Sequence, residues 1–348
     1  MNAKMSEQRK NRILVVGATG FVGRHALEEL DAREDAHVIA ACRERARLPL
    51  RFQAEARIGD LRDRTYTDGL FADVDVVCLA AAWSALCGHS TASNSLYRAP
   101  LLAAIDAAAR ARVRRVVLTS ALAVKNVPHS RFRSVRESVE RVWPHLGNLL
   151  ALEARMKALA SNRTSMIALR FGTFTGTRQD VGILPVLIPR LRQRLVPWID
   201  GGAAPLPMID GADVGRAFAA AAFAPPDAPF QALDATGPEA ATFFDVVNYL
   251  HATFRIPLPA FSVSYGTAFR FGYLAELIAR FSRTRPLLTR SIVFLSEECR
   301  EDRSSWPRWG FLPRVDWKSS VQRQVQDIDD RKVVPRLANE VTPKLEVS

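Results

Sequence analysis

Three glycines near the amino terminus, Gly17, Gly20 and Gly23, have the spacing of a pyrophosphate-binding loop. They follow the apolar run Ile13–Val16 and precede a helical pattern over Arg24–Leu30, so the order is strand, turn and helix. The first glycine would permit the sharp turn, the second the approach of a phosphate, and the third close helix–sheet packing. The helix would offer unpaired N–H groups and a positive dipole end. We therefore predict a dinucleotide-binding loop, with an ordinary strand–helix turn as the alternative.

The elements that must position this loop alternate along the first half of the chain. Helical patterns occur over Leu101–Arg110 and Leu149–Ala160. Apolar runs predict strands at Ile13–Val16, Val38–Ala41, Ala56–Ile58, Val74–Ala80, Val116–Leu118 and Met166–Arg170. Strands that alternate with helices predict an α/β fold with a doubly wound parallel sheet.

The pattern changes after Gly172, where prolines become frequent and the alternation stops. This change favours a smaller substrate-binding domain behind the nucleotide-binding domain. We expect a polar tail over residues 1–11, the nucleotide-binding domain over 12–175, the substrate-binding domain over 176–330 and a flexible tail over 331–348. A strand near Phe230–Ala235 could return to the main sheet, and residues 242–252 have a helical pattern.

The cysteine content and the absence of apolar signals favour a cytoplasmic protein. The four cysteines have no metal-ligand spacing, so no metal site is predicted, and they form no dense disulfide framework. Met1–Arg12 is polar and lacks the apolar core of a signal peptide. No uncharged apolar run reaches the roughly 18 residues that a transmembrane span needs.

The formal net charge of +12 has two interpretations. It can be a solvated basic surface, or it can attract an anionic partner such as a phosphorylated cofactor, a carrier-bound acyl group or a membrane surface. Residues 268–296 combine apolar residues with arginines, which indicates core-facing helices or, alternatively, a basic amphipathic surface in peripheral contact with a membrane. No nucleic-acid partner is expected, because the basic residues are not interleaved with aromatic ones.

A series of short segments resembles the extended short-chain dehydrogenase/reductase superfamily. Within it, the chain is most similar to the NAD-dependent epimerase/dehydratase group and to its 3β-hydroxysteroid dehydrogenase-like branch. The segments are Gly17–Gly23, Gly59–Asp63, Leu79–Ala82, Val113–Ser120, Lys157–Ala160, Leu169–Gly172 with Gly176, Met208–Val214 and Trp309–Pro313. Their shared order is more specific than any one of them, and the resemblance covers roughly residues 12–325.

The resemblance implies a Rossmann domain that binds a nicotinamide cofactor, a small-molecule substrate and a homodimer formed through two helices of the nucleotide-binding domain. Lys157 would bind the nicotinamide ribose, and Asp60 and Leu61 would lie beside the adenine. The remaining implied cofactor contacts are Gly17, Thr19, Gly20, Phe21, Val22 and Gly23 at the pyrophosphate, and Ala80, Ala81 and Phe171 along the cofactor.

The residues after the second strand bear on which cofactor binds. Members that prefer NAD usually have an acidic residue there, which accepts a hydrogen bond from the ribose 2′-hydroxyl. This chain has Cys42-Arg43-Glu44-Arg45 instead. The planar fork of donors on Arg43 can pair with a 2′-phosphate. We therefore predict a preference for NADP(H), with NAD(H) as the alternative.

The chain departs from the family at the catalytic positions. The family uses a tyrosine four residues before a lysine on one helix face, where the lysine lowers the pKa of the phenol. Lys157 is present, but Glu153 stands in the tyrosine position, and no tyrosine lies between residues 98 and 248. Ala121 occupies the usual Ser or Thr position, so Ser120 and Thr119 are the nearest hydroxyls. Tyr97 stands where Asn is common.

Three hypotheses follow for the chemistry. Glu153 could transfer the proton, unless it only forms an i,i+4 ion pair with Lys157. Alternatively, the substrate, His129 or His145 could supply the acid–base group. We expect an NAD(P)-dependent oxidoreductase or epimerase of atypical mechanism, acting at a carbonyl or alcohol carbon of a small, partly apolar substrate. The alternative is a non-catalytic NAD(P)-binding sensor or assembly protein.

Overall fold

The computed structural model describes residues 9–81, 90–131, 139–177, 181–225, 227–282, 286, 288–297, 299 and 301–330. The strands are β1 (Asn11–Val16), β2 (Ala36–Cys42), β3 (Ala56–Ile58), β4 (Val76–Leu79), β5 (Arg115–Ala121), β6 (Ser165–Phe171), β7 (Thr173–Thr175), β8 (Trp198–Ile199), β9 (Met208–Asp210), β10 (Phe230–Ala235) and β11 (Ser262–Val263).

The α-helices alternate with these strands in the first half of the chain. They are α1 (Phe21–Asp31), α2 (Arg64–Gly69), α3 (Ser90–Ser93), α4 (Ala99–Arg110), α5 (Pro144–Leu159), α6 (Leu184–Arg192), α7 (Gly211–Phe223), α8 (Phe243–Phe254), α9 (Tyr265–Ser282), α10 (Arg290–Phe294), α11 (Trp306–Trp309) and α12 (Trp317–Asp330). A π-helical turn over Asn94–Arg98 precedes α4, and 3₁₀ turns cover Arg45–Arg47, Leu122–His129 and Asp200–Gly202.

Seven parallel strands form the central sheet in the order β10-β6-β5-β4-β1-β2-β3. This arrangement confirms the doubly wound parallel sheet, and its fold is of the Rossmann type. The strand expected at Phe230–Ala235 pairs with β6 at the edge of the sheet. The division of the chain at residue 175 stays a prediction.

Two hydrophobic layers cover the sheet. On one face, α4 and α5 contribute residues such as Leu101, Ile105 and Leu152. On the other face, α1 and α7 contribute residues such as Leu27 and Phe218. A third cluster joins α6, α8 and α12. The sheet is therefore buried on both sides, as its continuous apolar strands require.

Helix α5 is longer than the sequence pattern predicts, and β5 continues past Val116–Leu118, where the strand is expected to start. Helix α5 begins at Pro144, because a proline in the first turn needs no N–H partner and has a helical φ. Strand β5 continues through Thr119 and Ser120, since both residues remain in register with β6. This extension carries β5 to the edge of the sheet where the glycine loop lies. Among the described residues, no helix has the length and apolarity needed to span a bilayer.

Candidate active site

The glycine loop forms a tight turn directly after β1. Gly17 has φ +80°, and a Cβ at this position would lie 2.7 Å from the backbone N and Cα of Ala81. A Cβ at Gly23 would overlap the carbonyl oxygen of Gly17. Both glycines are therefore required by the close approach of the chain to itself. Ala80 extends this contact, because its N–H donates to the Val16 carbonyl at 3.0 Å.

Helix α1 begins at Phe21 without a side-chain cap, and Gly20 is its N-cap residue. The N–H groups of the first turn, at Phe21, Val22 and Gly23, consequently have no partner within the helix. Together with the positive end of the helix dipole, these groups can bind a pyrophosphate. Thr19 lies in the turn between β1 and α1.

The loop after β3 borders the expected adenine site. The Asp60 carboxylate accepts hydrogen bonds from Arg62. The Arg62 Nη2 donates to Oδ2 at 2.7 Å, and the backbone N–H of Arg62 donates to Oδ1 at 2.9 Å. The Arg62 guanidinium, with a smaller contribution from the charge of Arg43, lowers the pKa of Asp60. The Leu61 carbonyl accepts from the Thr67 hydroxyl at 3.0 Å, which fixes the half-buried Leu61.

Arg43 follows β2 and is exposed on the same side of the site. Its charge acts on Asp60, but within the described part of the chain its guanidinium has no hydrogen bond or ion pair. A free guanidinium at this position can pair with a phosphate without breaking an existing contact. The ribose side of the cofactor site therefore has an available cation.

Three polar side chains occupy equivalent positions at the carboxyl ends of adjacent strands. Ser120 of β5 is in register with Arg170 of β6, and Arg170 is in register with Asp234 of β10. Each is the last residue but one of its strand. Since register partners in a parallel sheet point to the same face, the three side chains share one face.

Glu153 of α5 connects the first two of these side chains. Its Oε1 accepts from Ser120 Oγ at 2.6 Å and from Arg170 Nε at 3.1 Å, and its Oε2 accepts from Arg170 Nη2 at 2.6 Å. Burial disfavours the charge of Arg170, but the hydrogen bonds and charge of Glu153 outweigh it and raise the pKa of the guanidinium. The carboxylate is thus held by a two-point ion pair.

A second ion pair extends the arrangement. Asp234 is buried, and its Oδ2 accepts from Lys125 Nζ at 2.6 Å and from the backbone N–H of Asp302 at 2.8 Å. We call Ser120, Glu153, Arg170, Asp234 and Lys125 the polar row. Its charges alternate in sign, so each buried ion has a compensating neighbour.

The ion pair between Glu153 and Lys157 that the i,i+4 spacing allows is not formed. Glu153 is buried and pairs with Arg170, whereas Lys157 is exposed. Within the described part of the chain, Lys157 has no hydrogen bond or ion pair. Its ammonium is therefore available on the helix that carries Glu153.

The other predicted site residues are placed in different surroundings. Thr119 points to the opposite face of β5, and its buried hydroxyl has no hydrogen-bond partner among the described residues. The Phe171 ring lies in the core, 5.5 Å from Phe174 and 5.9 Å from Phe218 between ring centroids. Ala80 is buried and Ala81 is half-buried beside Gly17.

The two histidines proposed as alternative acid–base groups differ in environment. His129 is exposed at the end of its 3₁₀ turn. His145 lies in the first turn of α5, and its ring is 5.5 Å from the ring of Tyr97. Burial raises the pKa of Tyr97, so its phenol stays protonated near neutral pH.

Arg170, Asp234 and Lys125 were not predicted from the sequence as site residues. A usable signal exists in the strands, because a polar residue stands directly before the last residue of each of the three strands. These residues occur in Thr119-Ser120-Ala121, Leu169-Arg170-Phe171 and Leu233-Asp234-Ala235. In the sequence, Arg170 stands out only as part of the segment Leu169–Gly172.

Comparisons with known proteins support a nicotinamide cofactor. Residues 17–182 match the model of a family described as NAD(P)H-binding. A sequence search found no match among curated proteins. Similar folds are found among solved structures, and they differ strongly in sequence from this chain.

One similar structure is MoeE5 in complex with UDP-glucose and NAD, with a TM-score of 0.65 and 19% identity over 93% of this chain and 100% of that chain. The UDP-glucose 4-epimerase of Thermotoga maritima has a TM-score of 0.67 and 14% sequence identity, over 92% of this chain and 100% of that chain. The UDP-glucose 4-epimerase of Thermus thermophilus, in complex with NAD, has a TM-score of 0.64 and 18% sequence identity, over 91% of this chain and 99% of that chain. These similarities show the fold alone, and the family match over residues 17–182 supports the binding of a nicotinamide cofactor there.

Proposed function

We propose that this protein is an NADP(H)-preferring oxidoreductase or epimerase that acts at a carbonyl or alcohol carbon of a small, partly apolar substrate. The observation that carries the proposal is the polar row. It lies at the carboxyl ends of β5, β6 and β10, the same edge at which Gly17 leaves β1. Open α/β sheets bind their ligands at this edge.

The polar row contains a path for one proton. When bound, the cofactor supplies or accepts the hydride. During oxidation, the substrate hydroxyl gives its proton to Ser120 Oγ while the Ser120 proton passes to Glu153 Oε1, 2.6 Å away. Reduction reverses these transfers. The ion pair with Arg170 holds the Glu153 carboxylate in place, with Oε1 in contact with Ser120 Oγ.

Lys157 has a separate role in this proposal. Its exposed ammonium binds the nicotinamide ribose, as the family resemblance implies, and is not consumed by an ion pair with Glu153. Thr119 and Phe171 lie on the opposite face of β5 and β6 from the polar row, so neither has a role in the proton transfer. The proposed roles thus divide cofactor binding from proton transfer.

The cofactor preference rests on Arg43. We expect Arg43→Ala to weaken NADPH binding by about 10- to 100-fold, because a charge-assisted hydrogen bond contributes roughly 1.5–3 kcal/mol. NADH binding should change little, since NADH has no 2′-phosphate. Dissociation constants of both cofactors, measured by calorimetry, check the prediction.

Arg64→Ala is the matched control, because Arg64 is also an exposed arginine but lies on α2. It should leave both dissociation constants unchanged. A wild-type protein that binds NADH more tightly than NADPH would contradict the NADP(H) preference. Equal losses for both cofactors in Arg43→Ala would also contradict it.

A second candidate function is a non-catalytic NAD(P)-binding sensor or assembly protein. It is favoured by the hydrogen bonds of Glu153, since both carboxylate oxygens already accept from Ser120 or Arg170 within the protein. In that case the polar row would only stabilise the end of the sheet. The absence of a tyrosine four residues before Lys157 fits this candidate equally well.

Turnover of bound cofactor distinguishes the two candidates. The full chain is loaded with NADPH or NADP⁺ and mixed with carbonyl and alcohol compounds, and the absorbance of the reduced nicotinamide is followed. UDP-glucose belongs in the panel because MoeE5 binds it, alongside apolar ketones and alcohols. Turnover supports the enzyme, and tight binding without turnover supports the sensor. If the protein binds neither NADPH nor NADP⁺, both candidate functions are wrong.

A further inference from the structure

Helix α9 exposes a stripe of large apolar side chains. The stripe, which we call the outer face, consists of Phe271, Leu274, Leu277, Ile278 and Phe281. Between 37% and 82% of each residue is exposed. The intervals of three and four residues place these side chains on one side of the helix. A surface helix normally presents polar residues to water, so this face is unusual.

The opposite face of α9 is fixed to the rest of the protein. Tyr265 donates its hydroxyl to Glu297, and the Arg131 guanidinium lies 4.5 Å above the Tyr265 ring. Glu276 forms an ion pair with Arg290 at 2.7 Å. Gly272 packs against the backbone of α10, since a Cβ there would lie 3.1 Å from Arg290 N. The inner contacts are therefore satisfied, and the helix must direct its outer face away from the protein.

The sequence of α9 and of the segment that follows it is rich in basic residues. Residues 264–290 contain five arginines and a single acidic residue, Glu276. Glu276 is already paired with Arg290, while Arg270 is exposed among the residues of the outer face. The sequence Arg280-Phe281-Ser282-Arg283-Thr284-Arg285 continues the basic character past the apolar stripe. An apolar stripe with exposed Arg270 on the same side, in a segment of basic sequence, has a complement that is both apolar and anionic.

We infer that the outer face of α9 binds the surface of an anionic lipid membrane. An interfacial helix inserts its apolar residues at the boundary between headgroups and acyl chains, while its arginines contact lipid phosphates. The helix would lie in the plane of the membrane.

Two other binding partners of the outer face, a second copy of the chain and the carboxyl-terminal tail, match its positive charge less well. A second copy placed face to face would bring two sets of arginines together, and like charges at an interface are costly. The tail over residues 331–348 carries four basic and two acidic residues, so its net charge is also positive. An anionic lipid surface complements both the apolar stripe and Arg270.

Vesicle binding by the full chain tests this inference. Vesicles of phosphatidylcholine alone are compared with vesicles of equal parts phosphatidylcholine and phosphatidylglycerol in a flotation assay. We expect binding to the anionic vesicles, weakened by salt. The triple variant Phe271→Ser, Leu274→Ser and Ile278→Ser should bind roughly tenfold or more weakly, since interfacial binding scales with the apolar area inserted.

A second triple variant controls for general loss of surface apolarity. Leu50→Ser, Leu195→Ser and Leu312→Ser change three exposed leucines outside α9, and this variant should bind vesicles as the wild type does. Thermal unfolding verifies that both variants fold. The inference is overturned if the wild type does not bind anionic vesicles, or if the α9 variant binds them unchanged. A wild-type dimer that the α9 variant dissociates, seen by analytical ultracentrifugation, would also overturn it. None of these results depends on cofactor turnover.

Discussion

Gly17→Val should weaken NADPH binding at least about 100-fold, corresponding to roughly 2.7 kcal/mol or more of binding free energy. A β-branched residue at φ +80° is strained, and its Cβ would lie 2.7 Å from the backbone of Ala81. The turn must therefore move away from β4, which displaces the N–H groups of α1 from the pyrophosphate. Calorimetric titration of the full chain with NADPH measures the loss.

Two further glycine variants separate a lost site from a lost fold. Gly69→Ala is the control, because no atom lies within 4 Å of a Cβ built at this position of α2. Gly20→Ala should fold, since its φ is −77° and its Cβ would be 3.4 Å from the Gly17 oxygen. We still expect Gly20→Ala to weaken binding, because that Cβ occupies the approach of the pyrophosphate. Binding by folded Gly17→Val with wild-type affinity would refute the assignment of the loop.

The glycine loop and the sheet could be predicted because their signals are local. Ile13–Val16, the glycine spacing and the following helix all lie within one short segment, and each is specified by neighbours in the chain. The polar row could not be predicted in the same way. Ser120, Arg170 and Asp234 are separated by 50 and 64 positions in the sequence, and only the registers of three strands bring them together.

The partner of Glu153 illustrates a second limit. Residues four apart on a helix differ by about 40° around its axis, so spacing alone permits contact with Lys157. Tertiary packing decides otherwise, because α5 turns Glu153 toward the sheet and leaves Lys157 exposed. The planar guanidinium of Arg170 then binds both carboxylate oxygens, a geometry that the single ammonium of lysine does not match.

This ion pair leads to the second large effect. Arg170→Met should lower the free energy of unfolding by about 3–5 kcal/mol, because it leaves the buried carboxylate of Glu153 without its cation. Asp234, the register neighbour of Arg170, would retain Lys125 as its partner. Denaturant unfolding followed by circular dichroism measures the change.

The double variant Glu153→Leu and Arg170→Met distinguishes charge compensation from packing. Replacing both ions by apolar residues of similar size removes the unpaired charge, so most of the lost stability should return. A double variant no more stable than Arg170→Met would show that Arg170 acts by packing instead. Ser120 would lose its acceptor in the double variant, but its small hydroxyl can turn to another partner.

Glu153→Gln then separates stability from catalysis. The amide keeps the size of the side chain and one acceptor oxygen, but its NH2 group faces a donor of Arg170 and its charge is lost, so the variant should be less stable than the wild type. Kinetics are therefore measured at a temperature at which thermal unfolding shows the variant to be folded. The amide cannot take up the proton that Ser120 delivers, and we expect kcat to fall at least about tenfold while KM changes little. If Glu153→Gln turned over a true substrate at the wild-type rate, Glu153 would have only the structural role, and the proton would have to leave Ser120 by another path.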